Sequence, residues 1–351
     1  MGQSNYYQLN AWRRRWSWVV EVAKRGFDPR FLWYRANFVL RPKLDVVGRF
    51  PPHLDIELSD ACNLRCVMCT QGIEDGVKGA TTMDTGFAKR MIDQAARHGV
   101  RSIKLNWRGE SALHRDLADV IRHAKSKGIL EVQMNTNGIP FTTIRIREVI
   151  LAGLDRVIIS MDGATKETYE RIRVRASFEK LRENVMLFRS IRDELGRVRP
   201  FIRIQMVRMK DNAHEVEQFI EMWKPIVDDI RISDVSNRGQ GDHTVGDQVA
   251  VERACCPQPW QRMIVARDGR VLPCCSDWQM EWTIGDANKE DLGAIWRGKR
   301  MTKLRQLLRD RKLDEFAPCN HCFVKESYVW EKVTPDTLLQ IQSGEKQVYQ
   351  Y

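Results

Sequence analysis

Three cysteines stand within eight residues in the stretch Ser59-Asp-Ala-Cys-Asn-Leu-Arg-Cys-Val-Met-Cys-Thr70, at the spacing CxxxCxxC. Thiolate sulfur is a soft ligand that suits zinc or iron–sulfur clusters. Ligand count separates the two. Structural zinc takes four protein ligands, and the seven histidines supply no obvious fourth ligand near this loop. Three cysteines on a four-iron cluster leave one iron open to a cofactor. Cys62, Cys66 and Cys69 are therefore candidate cluster ligands.

The other six cysteines fall between residues 255 and 322 as two CC pairs, Cys255-Cys256 and Cys274-Cys275, and one CxxC, Cys319 to Cys322. The total of nine is odd, and the chain start shows no secretory signal, so a disulfide framework is not expected. Asp268-Gly269 between apolar stretches predicts a hairpin joining Ile264 and Leu272. A four-cysteine set containing a CxxC is also the composition of a zinc ribbon, so zinc stays open at this second group.

The elements that must position these groups alternate. From Pro52 to about Asp234 short apolar runs are followed by helical stretches, the pattern of βα units in a parallel sheet. Expected strands are 54–58, 102–107, 131–135, 156–161, 202–207 and 230–233. Gly99 and Gly128 stand where helices stop before strands. Six strands are too few for a closed eight-stranded barrel. The expected fold is an open six-stranded α/β partial barrel at 51–240, with a site built by loops at the strands' C-terminal ends. The polar stretch 236–246 predicts a boundary before a small cysteine-bearing unit at 247–325. Residues 1–50 read as a basic, Trp-rich helical extension, and 326–351 as a tail with no functional signal.

The first cysteine segment, placed directly after the first strand, resembles the radical S-adenosylmethionine superfamily. The resemblance implies a 4Fe-4S cluster whose open iron is chelated by S-adenosylmethionine, and cleavage of that cofactor to a 5′-deoxyadenosyl radical. Met68 stands where an aromatic is common in the family, so a thioether would pack near the adenine. Trp107-Arg-Gly-Glu-Ser111 looks like the family's Gly-Gly-Glu segment with Arg108 in place of the first glycine. Gly109 then lets the backbone approach, and Glu110 accepts from the cofactor ammonium. Asn135-Thr-Asn-Gly138 has the family's look as well. Ser160-Met-Asp-Gly163 and the following segment to Arg173 resemble members with added C-terminal clusters. By that resemblance Ser160 and Arg173 contact the cofactor's ribose or carboxylate, with Arg171 and Arg175 as adjacent alternatives to Arg173.

The C-terminal group is similar to the SPASM and shorter twitch domains of the same superfamily. Cys256, Gly269 and Cys274 fit their pattern, and the CxxC adds Cys319 and Cys322. Four thiolates close one further cluster, so two 4Fe-4S clusters and S-adenosylmethionine are the expected cofactors. Cys255 and Cys275 are then surplus, as buried small hydrophobes or as a hydrogen donor to a substrate radical.

Composition narrows the partners. The chain has 351 residues and a net charge of +11, and seven of those charges lie in residues 1–50. No run of about 18 apolar residues is present to span a bilayer. Tyr6 replaces the Ser or Thr of a myristoylation motif. A cytoplasmic enzyme is expected, fed electrons by a flavodoxin or ferredoxin, with membrane-surface contact through residues 1–50 and no nucleic acid. The leading activity is dehydrogenation of an alcohol carbon in a small polar, sugar- or cyclitol-like substrate, with the auxiliary cluster taking the second electron. A redox-neutral epimerase, a peptide maturase and a zinc-dependent nucleic-acid-binding protein are the alternatives.

Overall fold

The computed structural model describes residues 28–73, 79–234, 256–313, 316–317 and 319–321. The predicted boundary loop 236–246, the tail 326–351 and residues 1–27 lie outside them. Helix α1 (Pro29–Lys43) opens the described chain, with the Asp28 carboxylate accepting from the Arg30 N–H and proline in the first turn.

Six parallel strands follow: β1 (His53–Ile56), β2 (Ser102–Lys104), β3 (Glu131–Thr136), β4 (Arg156–Ser160), β5 (Phe201–Arg208) and β6 (Asp229–Asp234). Each is one of the six strands expected from the sequence, with no end displaced by more than three residues. Helices α2 (Thr85–Arg97), α3 (Leu117–Ser126), α4 (Thr143–Ala152), α5 (Lys166–Ile172), α6 (Phe178–Glu194) and α7 (Val216–Trp223) connect them. Asp84, Thr142, Thr165 and Ser177 cap the N-termini of α2, α4, α5 and α6. Gly99 and Gly128 follow α2 and α3 at φ +79°, the left-handed conformation that ends a helix without Cβ strain.

Strand side chains alternate between two faces. Leu54, Ile56, Ile103, Val132, Met134, Val157, Ile159, Ile202, Ile204 and Met206 join helix residues such as Met91, Ile121, Val149, Leu181 and Phe219 in one buried core. Each such side chain contributes roughly 1.5–3 kcal/mol on burial. The alternate positions, including His53, Asp55, Glu57, Lys104, Glu131, Asn135, Ser160, Arg203 and Gln205, line the other face.

The C-terminal cysteine-bearing region extends this sheet. Strand β7 (Arg262–Val265) pairs parallel with β1, β8 (Arg270–Leu272) pairs antiparallel with β7, and β9 (Gly285–Asp286) with β8. The sheet order is β9-β8-β7-β1-β2-β3-β4-β5-β6. The predicted hairpin is present, with Leu272 opposite Ile264 and Gly269 at φ +92°. Helices α8 (Leu292–Arg297) and α9 (Lys299–Arg309) complete the region.

The segment from α1 to Phe50 straps this region to the barrel. Gln261 Nε2 donates to Phe38 O at 2.8 Å, Trp260 Nε1 to Asp45 at 3.0 Å and Trp296 Nε1 to Gly48 O at 2.9 Å. Arg309 makes two bonds to the same Asp45 carboxylate, at 2.8 and 2.9 Å. Among the described residues no helix is long and apolar enough to cross a membrane.

Candidate active site and cluster loops

The Cys62–Cys69 loop leaves the C-terminal end of β1 and is tied down at three points. A two-residue antiparallel ladder sets Arg65 opposite Val174 and Cys66 opposite Arg173, Val67 N donates to Ile172 O at 3.0 Å, and Cys69 N donates to Cys66 O at 3.1 Å. Asn137, in the loop after β3, donates to Asn63 Oδ1 at 2.9 Å and reaches Cys62 Sγ at 3.9 Å.

Arg173 is the buried member of the three candidate arginines, and Arg171 and Arg175 are exposed. Its guanidinium bonds Asp162 at 2.7 and 2.6 Å and reaches Cys66 Sγ at 3.8 Å. Asp162 is itself fixed, accepting from Val207 N at 2.7 Å. Burial works against the charge on Arg173, but Asp162 and Cys66 more than offset it and raise its pKa. Burial also pushes the Cys66 thiol up, opposed by Arg173. The Cys62 thiol is pushed up to about 11, chiefly by burial, with Glu110 and the other two loop cysteines adding to the shift. A bound iron, rather than the fold alone, must draw these protons off.

Four consecutive residues after β2 each hold a different part of the site. The indole N–H of Trp107 donates to Cys275 O at 3.0 Å, and its ring meets Trp278 edge-on at 6.1 Å. Arg108, stacked over Trp107, makes a buried two-pronged pair with Glu57 at 2.8 and 3.0 Å. The second Glu57 oxygen also accepts from Arg267 N at 3.0 Å, and Arg267 Nε reaches Asp60 at 2.8 Å. Gly109 sits at φ +49°, where a Cβ would come within 2.3 Å of Ser59 O and 2.7 Å of Ala61 O. Glu110 N donates to Ala61 O at 2.8 Å. Its carboxylate accepts from Ala112 N, Thr136 Oγ1 and Asn137 N at 2.9, 2.7 and 2.6 Å. Burial raises the Glu110 pKa and those three donors oppose the rise. A carboxylate has about four lone-pair sites, so one remains for a cofactor ammonium.

Met68 packs beside Ile172 and Met209. Ser160 ends β4, in register with Gln205 on β5. Sequence reasoning missed Glu57 and Arg267 as parts of the site, and it gave Asp60, Trp107, Asn137 and Asp162 no individual role although each lies in a segment it singled out. A signal for Glu57 was present, because the polar positions of Asp55-Ile-Glu-Leu-Ser59 alternate with apolar ones and face the inside of the sheet. Nothing local marked Arg267.

Of the proposed auxiliary ligands, Cys256, Cys274 and Cys319 are partly buried and free of disulfides. Cys256 and Cys319 border the main core. Cys255 and Cys322 lie outside the described residues. Cys275 packs against a cluster of Ile264, Ala266, Leu272 and Met280, as a small hydrophobe would. Among the described residues no three His, Cys, Asp or Glu side chains converge on a single ion. Three thiols on one loop, a buried guanidinium at one sulfur and a side-chain amide near another form a soft donor set with charge compensation. These residues fit an iron–sulfur cluster with an adjoining cofactor.

An open parallel sheet with a three-cysteine loop at the end of its first strand defines an iron–sulfur enzyme class, and residues 56–222 match the model of the radical SAM superfamily. Residues 255–323 match the SPASM iron–sulfur cluster-binding domain. The chain belongs to the radical SAM superfamily and carries a C-terminal SPASM domain. Its cofactors are accordingly a 4Fe-4S cluster, S-adenosylmethionine and auxiliary iron–sulfur.

Among curated proteins the chain is 28% identical over 206 residues to a probable GTP 3′,8-cyclase of Metallosphaera sedula, covering 57% of this chain and 61% of that protein. It is 29% identical to the corresponding protein of Sulfurisphaera tokodaii, with the same coverage. The chain thus spans about three fifths of the length of these relatives. Among solved structures, BtrN in complex with AdoMet and 2-DOIA aligns with a TM-score of 0.55 at 18% identity, covering 83% of this chain and 98% of that one. Streptococcus suis SuiB bound to precursor peptide SuiA aligns with a TM-score of 0.63 at 15% identity, covering 76% and 70%. At these identities the likeness is one of fold.

Proposed function

We propose that this enzyme dehydrogenates an alcohol carbon of a small polar, sugar- or cyclitol-like substrate. The observation that carries the reading is the 3.0 Å bond from Trp107 Nε1 to Cys275 O, which joins the segment at the cofactor site to the auxiliary cysteine loop. Bound beside Cys62, Cys66 and Cys69, the cluster and S-adenosylmethionine supply a carbon-centred radical that removes a hydrogen atom from an unactivated carbon. Conversion of the resulting carbinol radical to a ketone requires loss of the hydroxyl proton and of one electron. Trp107 holds the Cys274–Cys275 loop and the Arg108–Glu57–Arg267 chain of bonds ties β1 to the end of β7, so a cluster on that loop would be the acceptor of the electron. In this reading Cys256, Cys274, Cys319 and Cys322 hold the auxiliary cluster. Gly109, Glu110, Ser160, Met68 and Arg173 would hold S-adenosylmethionine, and Arg173 opposes part of the burial that keeps the Cys66 proton on. A flavodoxin or ferredoxin of the cytoplasm reduces the first cluster. BtrN, 98% of whose chain aligns with this fold, was captured with AdoMet and 2-DOIA, a pairing that supports a small-molecule substrate.

Anaerobic turnover with a panel of cyclitols and sugars tests the reading. Equal amounts of 5′-deoxyadenosine and a carbonyl product are expected. Cofactor cleavage with no carbonyl from any substrate sinks it, and solvent deuterium in recovered substrate indicates the epimerase instead.

A second reading, radical cyclisation of a nucleotide, is favoured by the curated relatives. Consumption of GTP with formation of a new carbon–carbon bond would establish this reading over dehydrogenation.

A further inference from the structure

Apolar exposure and positive charge concentrate in the same stretch of this chain. Of the ten exposed large hydrophobic side chains among the described residues, five lie between positions 33 and 47: Trp33, Leu40, Leu44, Val46 and Val47. Trp33, at 72% exposure, is the most open of the ten. Single exposed apolar residues are ordinary, whereas a cluster marks a docking surface.

The helical period places three of the five on one face. Trp33, Leu40 and Leu44 are spaced i, i+7, i+11 and form one stripe. Phe31, Tyr34 and Phe38 occupy the opposite side of α1 and are buried. Helix α1 is therefore apolar on two faces, one used by the fold and one left to solvent. Lys43, at the end of α1, and Arg49, beyond the following turn, are exposed. The two local acids are occupied, Asp28 by Arg30 and Asp45 by Arg309. Seven of the eleven net positive charges of the whole chain belong to residues 1–50, where Trp12, Trp16 and Trp18 are interleaved with Arg13, Arg14 and Arg15.

We infer that this face of α1, with the turn that follows it, docks on the surface of an anionic phospholipid bilayer. An exposed Trp and aliphatic stripe flanked by cations suits the headgroup boundary, where the rings and methyls leave water and the cations meet lipid phosphates. The placement of the face agrees with the chemistry. Phe38 meets His53, the first residue of β1, edge-on at 6.2 Å, and Leu130 packs beside the buried α1 cluster just before β3. These are the N-terminal ends of the strands. The Cys62–Cys69 and Gly109–Glu110 loops lie at the opposite ends. A bilayer under α1 leaves the reaction site open to substrate and electron donor.

The test uses the full chain with its clusters loaded, sedimented with vesicles of phosphatidylcholine alone or mixed with phosphatidylglycerol. Binding is expected to the mixed vesicles and to weaken as salt shortens the Debye length from about 10 Å to about 3 Å. The triple variant Trp33→Ser, Leu40→Ser, Leu44→Ser should keep wild-type iron content and melting temperature, and should lose at least about tenfold in vesicle partition. Equal partition of variant and wild type, or no partition of either, overturns the inference. So does retention on single-stranded RNA with none on vesicles, which would assign the basic segment to nucleic acid. A wild-type dimer that the variant abolishes, again without vesicle binding, would assign the face to a second copy of this chain.

Discussion

Arg173 and Trp107 show how single side chains divide the work of this site. Arg173 reaches the Cys66 sulfur while paired to an Asp162 with no exposed surface. Removing one member of a buried ion pair strands the other, at about 3–5 kcal/mol. Arg173→Gln should therefore lower the urea midpoint strongly, and adding Asp162→Asn should recover much of the loss. An unchanged midpoint in the single variant would mean that the pair is dispensable. Trp107→Phe keeps an aromatic ring, though a smaller one, and deletes the N–H donor to Cys275 O, a bond whose loss alone costs about 1 kcal/mol. Its expected signature lies elsewhere: a changed paramagnetic resonance spectrum of the auxiliary cluster and less product per 5′-deoxyadenosine formed. A purely structural Trp107 would leave both unaltered.

Elements were legible in the sequence where a local signal marks them. The six strands announced themselves as apolar runs, and helix stops as Gly99 and Gly128. The 268–269 turn carried the hairpin. The cysteine loop was equally plain, because its three ligands are within eight residues. What stayed hidden depends on partners far along the chain: Trp107 meets a carbonyl 168 residues on, and Arg267 Nε a carboxylate 207 residues back. The pairing of β7 with β1 was hidden for the same reason. The foot of β1 carries its own prediction. His53 lies buried between Ser102 at 2.9 Å and Asp55 at 3.2 Å, with Arg262, Glu131 and Phe38 around it. Burial holds its pKa below the ordinary histidine value, against the pull of Asp55. The unfolded chain takes up this proton near pH 6.5 and the folded one only lower, so stability present above about pH 6.5 drains away as pH falls. His53→Gln keeps a side chain able to bond Ser102 and removes the titration. Its urea midpoint should stay flatter than wild type between about pH 7 and 5. Parallel curves for the two proteins would exclude His53 as the source.

The molecule as a whole is organised by one sheet that ignores the division into two sequence regions. Backbone pairing of β7 with β1 runs through four residue pairs, from His53 opposite Arg262 to Ile56 opposite Val265. The N-terminal strap adds Trp260 to Asp45, Arg309 to Asp45 and Trp296 to Gly48. Barrel and cysteine-bearing region share the buried core that holds Leu54, Met263, Val265, Ile295 and Trp296. Regions sharing a sheet and a core lose each other's packing when either opens, so they should unfold as one cooperative unit. Tyrosine and tryptophan fluorescence, far-ultraviolet dichroism and release of iron should then give coincident transitions in urea. Arg309→Ala removes two bonds that reach from α9 back to Asp45 across 264 positions of sequence. It should move all three transitions together to lower urea, by an amount worth about 1–2 kcal/mol for partly exposed charge-assisted bonds. If iron release alone shifted while the dichroism transition stayed in place, the two regions would be separate folding units held by a dispensable strap. The continuity of the sheet would then be a matter of geometry and not of stability.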